Sequence, residues 1–335
     1  MINMETRKVQ QTGGSSFIIS LPKEWIKKHK IKKNDSLGII SQPDGTLLIT
    51  PEPNSHESIK KIELDVDGIK NYNYLFRLLI GAYIMGYHEI TVKSSEKLTP
   101  MIRECVTNFT KIAIGPEIFE ESGNFIRIKD LLNPKEMPFE KTIKRMYIIA
   151  ESMHEDAILA LKTKDKSIAE QVISRDNDID RLHWLVGRQM HIVLRDIILC
   201  QKMNITLEDA TRFHKMSRLL ERIGDHAVKI AENVITILNY DIDQKIVEKI
   251  ASTSKLSLDI LNMSMDAWIK GDIKLANETI ESVNKLIEKC EEISGIMNHS
   301  NFKTYLSINY IAESIRRVGE YAGDISELII NHLIR

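Results

Sequence analysis

Residues 217–232, SRLLERIGDHAVKIAE, decide the fold. On a helix of 3.6 residues per turn, Leu219, Leu220, Ile223, Ala227, Ile230, Ala231 and the following Val234 fall on one stripe, the pattern of a helix packed in a bundle. Glu221 and Asp225 fall almost opposite that stripe and share a face. Like charges at i and i+4 destabilise an isolated helix by roughly 0.2–0.5 kcal/mol. The pair is therefore either a solvated surface or a place where a cation sits.

Outward from this segment, glycine and proline are scarce from Pro138 to the end of the chain, and helical periodicity dominates. The pattern predicts helices over 139–163, 165–200, 205–239, 241–270, 272–298 and 301–334, with breaks near Lys164, Asn204, Asp241 and Gly271. LLERIGDHAVKIAENVI aligns with SIRRVGEYAGDISELII, and KDKSIAEQVI with GDIKLANETI, so the six helices read as two diverged three-helix units.

Before Pro138 the pattern is mixed. IKKIELDV, HEITVKS, KIAIGPE and NFIRIKDL read as strands, and NYLFRLLIGAYIMGY and TPMIRECVTNF as helices, giving an α/β module without a glycine-rich phosphate loop. The polar segment PEPNSHES separates it from a strand-rich amino terminus. There TRKVQQTGGSSFIISLP predicts two short strands about a Gly-Gly turn, KEWIKKHK a brief helix, and SLGIISQPDGTLLIT two strands about Pro43, Asp44 and Gly45. Fifty residues with so few apolar side chains can hardly bury a core alone, and pairing with a second copy would supply one.

The chain has 335 residues and a net charge of −1, which is enough for two or three domains. Charge is uneven: residues 1–35 hold Arg7, Lys8, Lys23, Lys27, Lys28, Lys30, Lys32 and Lys33 against Glu5, Glu24 and Asp35. This basic module suggests a polyanionic partner, with an ordinary lysine-coated surface as the alternative. Cys105, Cys200 and Cys290 are odd in number and widely separated, and no apolar run approaches the roughly 18 residues of a membrane span; the expectation is a reduced, cytoplasmic protein.

ERIGDHAVKIAE resembles the third-helix signature of PhoU, the phosphate-uptake regulator family, and RDNDIDRL resembles its second-helix acidic motif. GGSSFIISLPKEWIKKHKIKKNDSL resembles the swapped-hairpin DNA-binding fold of AbrB and SpoVT proteins. The order of segments is similar to that of archaeal PhoU-like regulators. The resemblance implies an α+β multidomain chain: an AbrB-like swapped-hairpin β-barrel over 1–52, a small central α/β module over 59–137, and a PhoU-like all-α pair of three-helix bundles over 138–240 and 241–335. Two departures stand out. Thr206, Leu207 and Glu208 occupy the place of a family Asp-Leu-Arg triplet, and in the second repeat Arg316 and Glu320 match Glu221 and Asp225.

Asp176 and Asp180 repeat the i, i+4 spacing on the preceding helix and His183 adds i+7, along one flank of the stripe formed by Val172, Ile179, Leu182 and Val186. Four carboxylates on adjacent antiparallel helices can converge across the groove between them, as in carboxylate metal sites of helical bundles. Hard oxygen ligands suit Mg, Mn or Ca, and His183 and His214 as additional ligands tilt the choice toward Fe, Ni or Zn. A solvated acidic face is the alternative.

The AbrB resemblance places DNA contacts on the first hairpin and its neighbours, at Arg7, Lys8, Ser15, Ser16 and Lys23. The expected function is a DNA-binding, dimeric regulator of phosphate uptake. The alternative is an adaptor that binds a phosphate transporter or signalling protein, with the amino-terminal module serving only to dimerise. A metal-dependent enzyme is disfavoured, because no activated nucleophile accompanies the acids.

Overall fold

The computed structural model describes residues 5–42, 45–51, 60–295 and 301–334. The chain divides into two compact units, Met1–Ser58 and Ile59–Arg335.

In the first unit, β1 (Gln10–Thr12) and β2 (Ser16–Ile18) pair antiparallel with Gln11 opposite Phe17. Gly13 and Gly14, at φ of 60° and 83°, make the turn in the backbone region that glycine enters without steric cost. Helix α1 (Lys23–Lys28) follows, then β3 (Gly38–Ser41) and β4 (Leu47–Thr50), also antiparallel. Of the predicted second turn, Pro43 and Asp44 lie outside the described residues; the Gly45 N–H donates to the Gln42 carbonyl at 3.0 Å. Most of the polar linker, 52–58, lies outside them too.

The two hairpins form separate two-stranded sheets, so one chain by itself closes no barrel. The physical reason is a shortage of interior. No described residue of this unit is buried, and Phe17 stands 73% exposed.

The second unit opens with β5 (Lys61–Asp65), α2 (Tyr72–Ile84), β6 (Glu89–Lys93), α3 (Pro100–Ile112), β7 (Pro116–Glu121) and β8 (Phe125–Asp130). The sheet order is β5-β6-β8-β7. Only β5 and β6 are parallel, since α2 carries the chain back over the sheet between them. Asn71 caps α2 by accepting the Tyr74 N–H at 3.0 Å, and Thr99 with Pro100 starts α3. The segment KIAIGPE contributes strand only from Pro116, because α3 runs on through Lys111 and Ile112.

The helices follow: α4 (Phe139–Thr163), α5 (Lys166–Ser174), α6 (Asp176–Val193), α7 (Ile197–Lys202), α8 (Leu207–Ile237), α9 (Gln244–Lys270), α10 (Ile273–Gly295) and α11 (Phe302–Leu333). Lys164, Asn204 and Gly271 mark breaks with left-handed backbone. The predicted helix over 165–200 is three helices. Arg175 divides α5 from α6, and Asp196 caps α7 by accepting the Leu199 N–H at 2.9 Å. The last residues of the predicted 272–298 helix, 296–298, lie outside the described residues.

The repeat is visible in the packing. Ile179 of α6 rests on Gly224 of α8, where a methyl group would come within 2.9 Å of the Ile179 Cδ1. Leu286 of α10 rests on Gly319 of α11 more tightly still. The two small-residue seams fix the register of the repeats, and one continuous core joins them.

The central module is fastened to this bundle by Arg188 of α6. Its guanidinium, 1% exposed, donates to the carbonyls of Tyr83 (2.7 Å) and Tyr87 (2.9 Å) and pairs with Asp130 at 2.5 Å.

Candidate functional site

Helix α8 packs against α4, α6 and α11, so little of its circumference faces water. The face opposite the apolar stripe is therefore not a solvated one: Glu221 is only 8% exposed and Asp225 half-buried. Between Lys215 and Lys229 the exposed positions of α8 are cationic: Lys215, Arg218, Arg222 and Lys229. Both acids belong to the groove between α6 and α8, with Asp176 and Asp180 on its other wall. Asp176 opens α6, where the helix dipole favours a carboxylate.

The four carboxylates feel one another. Burial, then Asp176 and Asp225, push Asp180 up to about 7. Burial and then Asp225 push Glu221 up to about 7, against the pull of Arg218. Asp176 is raised by burial, then by Asp225 and Glu232; Asp225 is raised by burial, with Lys229, Arg218 and Arg222 opposing.

Arg218, which sequence reasoning missed, donates to Glu221 Oε1 at 2.9 Å; its i, i+3 spacing from an acid was the available signal. Glu221 Oε2 and Asp176 Oδ1 are buried without any hydrogen-bond partner. Such atoms cost on the order of 1–3 kcal/mol each unless a proton or a cation satisfies them.

Ser217, the first residue of the opening segment, orders the histidine end of the groove. Its hydroxyl donates to the His214 carbonyl at 2.8 Å and lies 2.9 Å from His183 Nδ1. With the hydroxyl proton given to that carbonyl, His183 Nδ1 carries the hydrogen of the second bond and Nε2 is the unprotonated nitrogen of a neutral ring. Burial, then His214 and Arg218, lower His183 to about 4, so the neutral form persists. The His214 ring stacks on it at 5.5 Å between centroids.

By donor chemistry the groove fits a divalent cation, with carboxylate oxygens that lack partners and an imidazole nitrogen free to ligate. Among the described residues, however, no three His, Cys, Asp or Glu side chains converge closely enough for one ion, so the side chains must move to form a cage.

In the amino-terminal unit Arg7, Lys8, Ser15, Ser16 and Lys23 are all exposed. Arg7 pairs with Glu5, Ser16 stands opposite Thr12 in the ribbon, and Lys23 opens α1. The three cysteines are free and buried, and among the described residues no helix is long and apolar enough to cross a membrane.

Residues 143–234 match the PhoU domain model, and residues 10–55 match the model described as antidote-toxin recognition MazE, bacterial antitoxin. The chain is similar to the phosphate-specific transport system accessory protein PhoU homolog of Caulobacter vibrioides, 29% identical over 195 residues that cover 56% of this chain and 83% of that protein. PhoU homolog 1 of Thermotoga maritima is 24% identical over 196 residues, covering 56% and 82%. Over 59% of this chain the fold is similar to that of PhoU from Pseudomonas aeruginosa, of which it covers 95% (TM-score 0.51, 21% identity). PhoU of Streptococcus pneumoniae gives a TM-score of 0.50 at 20% identity over 58% and 93%.

Proposed function

We propose that this chain regulates phosphate uptake, with the helical repeats as a cation-dependent sensing or adaptor element and the basic amino-terminal module as a DNA-reading head. The similarity to phosphate-transport accessory proteins supports the pathway and a regulatory rather than catalytic role. The observation that carries the reading is the α6–α8 groove, whose buried carboxyl oxygens lack partners.

In this reading Asp176, Asp180, Glu221 and Asp225 hold divalent or transition metal ions, of the Mg, Mn, Fe, Ni or Zn kind, with His183 and His214 at one end. A bound cation supplies the charge that the four acids lack. Ser217 sets the tautomer of His183, and Arg218 holds one oxygen of Glu221.

The amino-terminal unit acts as a homodimer. Two copies bring together Phe17, Ile18, Ile39 and Leu47, which one chain leaves in water, and the swapped barrel forms between them. Arg7, Lys8 and Lys23 then meet phosphates, with Ser15 and Ser16 at base edges. This reading puts the protein in the cytoplasm and takes 1–52, 59–137, 138–240 and 241–335 as its working domains.

The same exposed apolar set favours a second reading, in which the module only dimerises and the helical repeats dock on a phosphate transporter or signalling protein. Capture of genomic DNA by the purified protein, followed by binding at graded salt, separates the two. A selected sequence bound with a steep salt slope supports the DNA reading, and the absence of any selected sequence leaves the adaptor.

A further inference from the structure

The packing of Ile179 on Gly224 and of Leu286 on Gly319 fixes which residues of the second repeat stand where the carboxylate groove stands in the first. Val283 and Ile287 replace Asp176 and Asp180, Cys290 replaces His183, and Asn309 replaces His214. Most telling is the ion pair one turn along the third helix: Arg218 and Glu221 in α8 become Glu313 and Arg316 in α11, with the charges exchanged.

Arg316 is fully engaged. Its Nε and Nη2 donate to the two oxygens of Glu313 at 2.8 and 2.7 Å, and its Nη1 pairs with Glu320, the counterpart of Asp225. Arg317 adds bonds to the same two acids at 2.9 and 3.2 Å. A cavity of about 400 Å³ opens beside this network, lined by Ile287, Cys290, Asn309 and Arg316, the counterparts of Asp180, His183, His214 and Glu221. A divalent ion finds there one carboxylate of the original four positions, already paired, and a guanidinium in place of a ligand. The second groove does not fit a metal.

We propose that the guanidinium of Arg316 is the resident cation of the second repeat, so that this half of the molecule is held together without a soluble metal and cation dependence is confined to α6 and α8. The fixed half then backs the conditional one directly, since Tyr321 of α11 faces His226 and Arg222 of α8. The confinement to α6 and α8 rests on the metal reading above, whereas the assignment of Arg316 does not.

Hydrogen exchange on the full chain, stripped with chelator and measured with Mn²⁺ added or withheld, tests both parts. In the wild type Mn²⁺ is expected to slow exchange in Asp176–Val193 and Leu207–Ile237 and to leave Phe302–Leu333 unchanged. Without metal, R316Q should exchange roughly tenfold faster in Phe302–Leu333, R316K less so. The neutral triple variant E313Q/R316Q/E320Q should recover most of the loss, because it removes the repulsion together with the cation.

Wild-type α11 slowed by Mn²⁺, R316Q exchanging like the wild type, or a triple variant as unprotected as R316Q would each overturn the proposal. Should R316Q fail to fold, the wild-type and triple-variant arms still decide. If Mn²⁺ slows neither α6 nor α8, the metal reading and the confinement fall, and the Arg316 arms decide the rest.

Discussion

Ser217 Oγ, on α8, stands 2.9 Å from His183 Nδ1 on α6 and 2.8 Å from the His214 carbonyl; with its proton given to the carbonyl, this hydroxyl holds the imidazole in the tautomer whose Nε2 is free. Ser217→Ala removes that constraint and little volume. It should weaken Mn²⁺ binding by about ten- to a hundredfold, as loss of an outer partner to a ligating histidine does. The chelated protein should lose only what one unpaired buried N–H costs, about 1–3 kcal/mol. Calorimetric titration with Mn²⁺ beside melting curves checks both expectations.

The raised acids give a pH signature. In the folded protein Asp180 keeps its proton up to about 7, whereas unfolded it ionises near 3.8. As pH rises through that interval the folded state binds the extra proton, so this group costs stability progressively and the full cost is present above 7. His154, His183 and His226, each lowered to about 4 by burial first, act oppositely: they gain stability as pH rises from about 4 to 6.5. The net slope therefore mixes both, and the difference between wild type and D180N isolates the acid. In chelator, D180N should melt above the wild type at pH 8, with the gap closing toward pH 4. A gap that is constant with pH contradicts the assignment.

Arg188 predicts a structural cost unrelated to metal. Removing its guanidinium strands buried Asp130 and the carbonyls of Tyr83 and Tyr87. R188A should lose about 3–5 kcal/mol in urea unfolding, with or without chelator.

In the amino-terminal unit, R7A or K8A should weaken DNA binding and lower the salt slope by about one unit for each phosphate no longer neutralised. K61A is the control, because Lys61 lies outside that unit and pairs with Glu89 at 2.9 Å. Equal effects from all three would remove the basic strand as a reading head. Deleting residues 1–50 should abolish DNA binding, weaken dimerisation and leave helical circular dichroism per residue undiminished.

Much of this architecture was legible in the sequence because its signals are local. Apolar spacing located the long helices, and the stops at Lys164, Asn204 and Gly271 fell where the backbone turns left-handed. The division at Arg175 was hidden, since that residue keeps near-helical angles (φ −82°, ψ −5°) and neither glycine nor proline marks it. The burial of Glu221 was hidden for another reason. A helical wheel shows the apolar stripe of α8 but not that α4, α6 and α11 enclose the helix on several sides, bringing charged residues into the interior. The spacing did identify which acids share a wall, and Asp176, Asp180, Glu221 and Asp225 do meet across one groove as electrostatic neighbours. Their distance from a closed cage depends on side-chain rotamers, which no periodicity encodes.

The central claim is that a cation neutralises those four acids, and the metal content and melting of D225N test it most directly. Wild-type protein purified without chelator should carry metal by elemental analysis, and chelator should lower its melting temperature; a cation at a hundredfold excess over its dissociation constant contributes about 2.7 kcal/mol. D225N should lose the metal and the chelator response together, while E320Q, in the groove that Arg316 occupies, should retain both. Full metal content in D225N, or a wild-type melting curve that chelator leaves unmoved, would contradict the account.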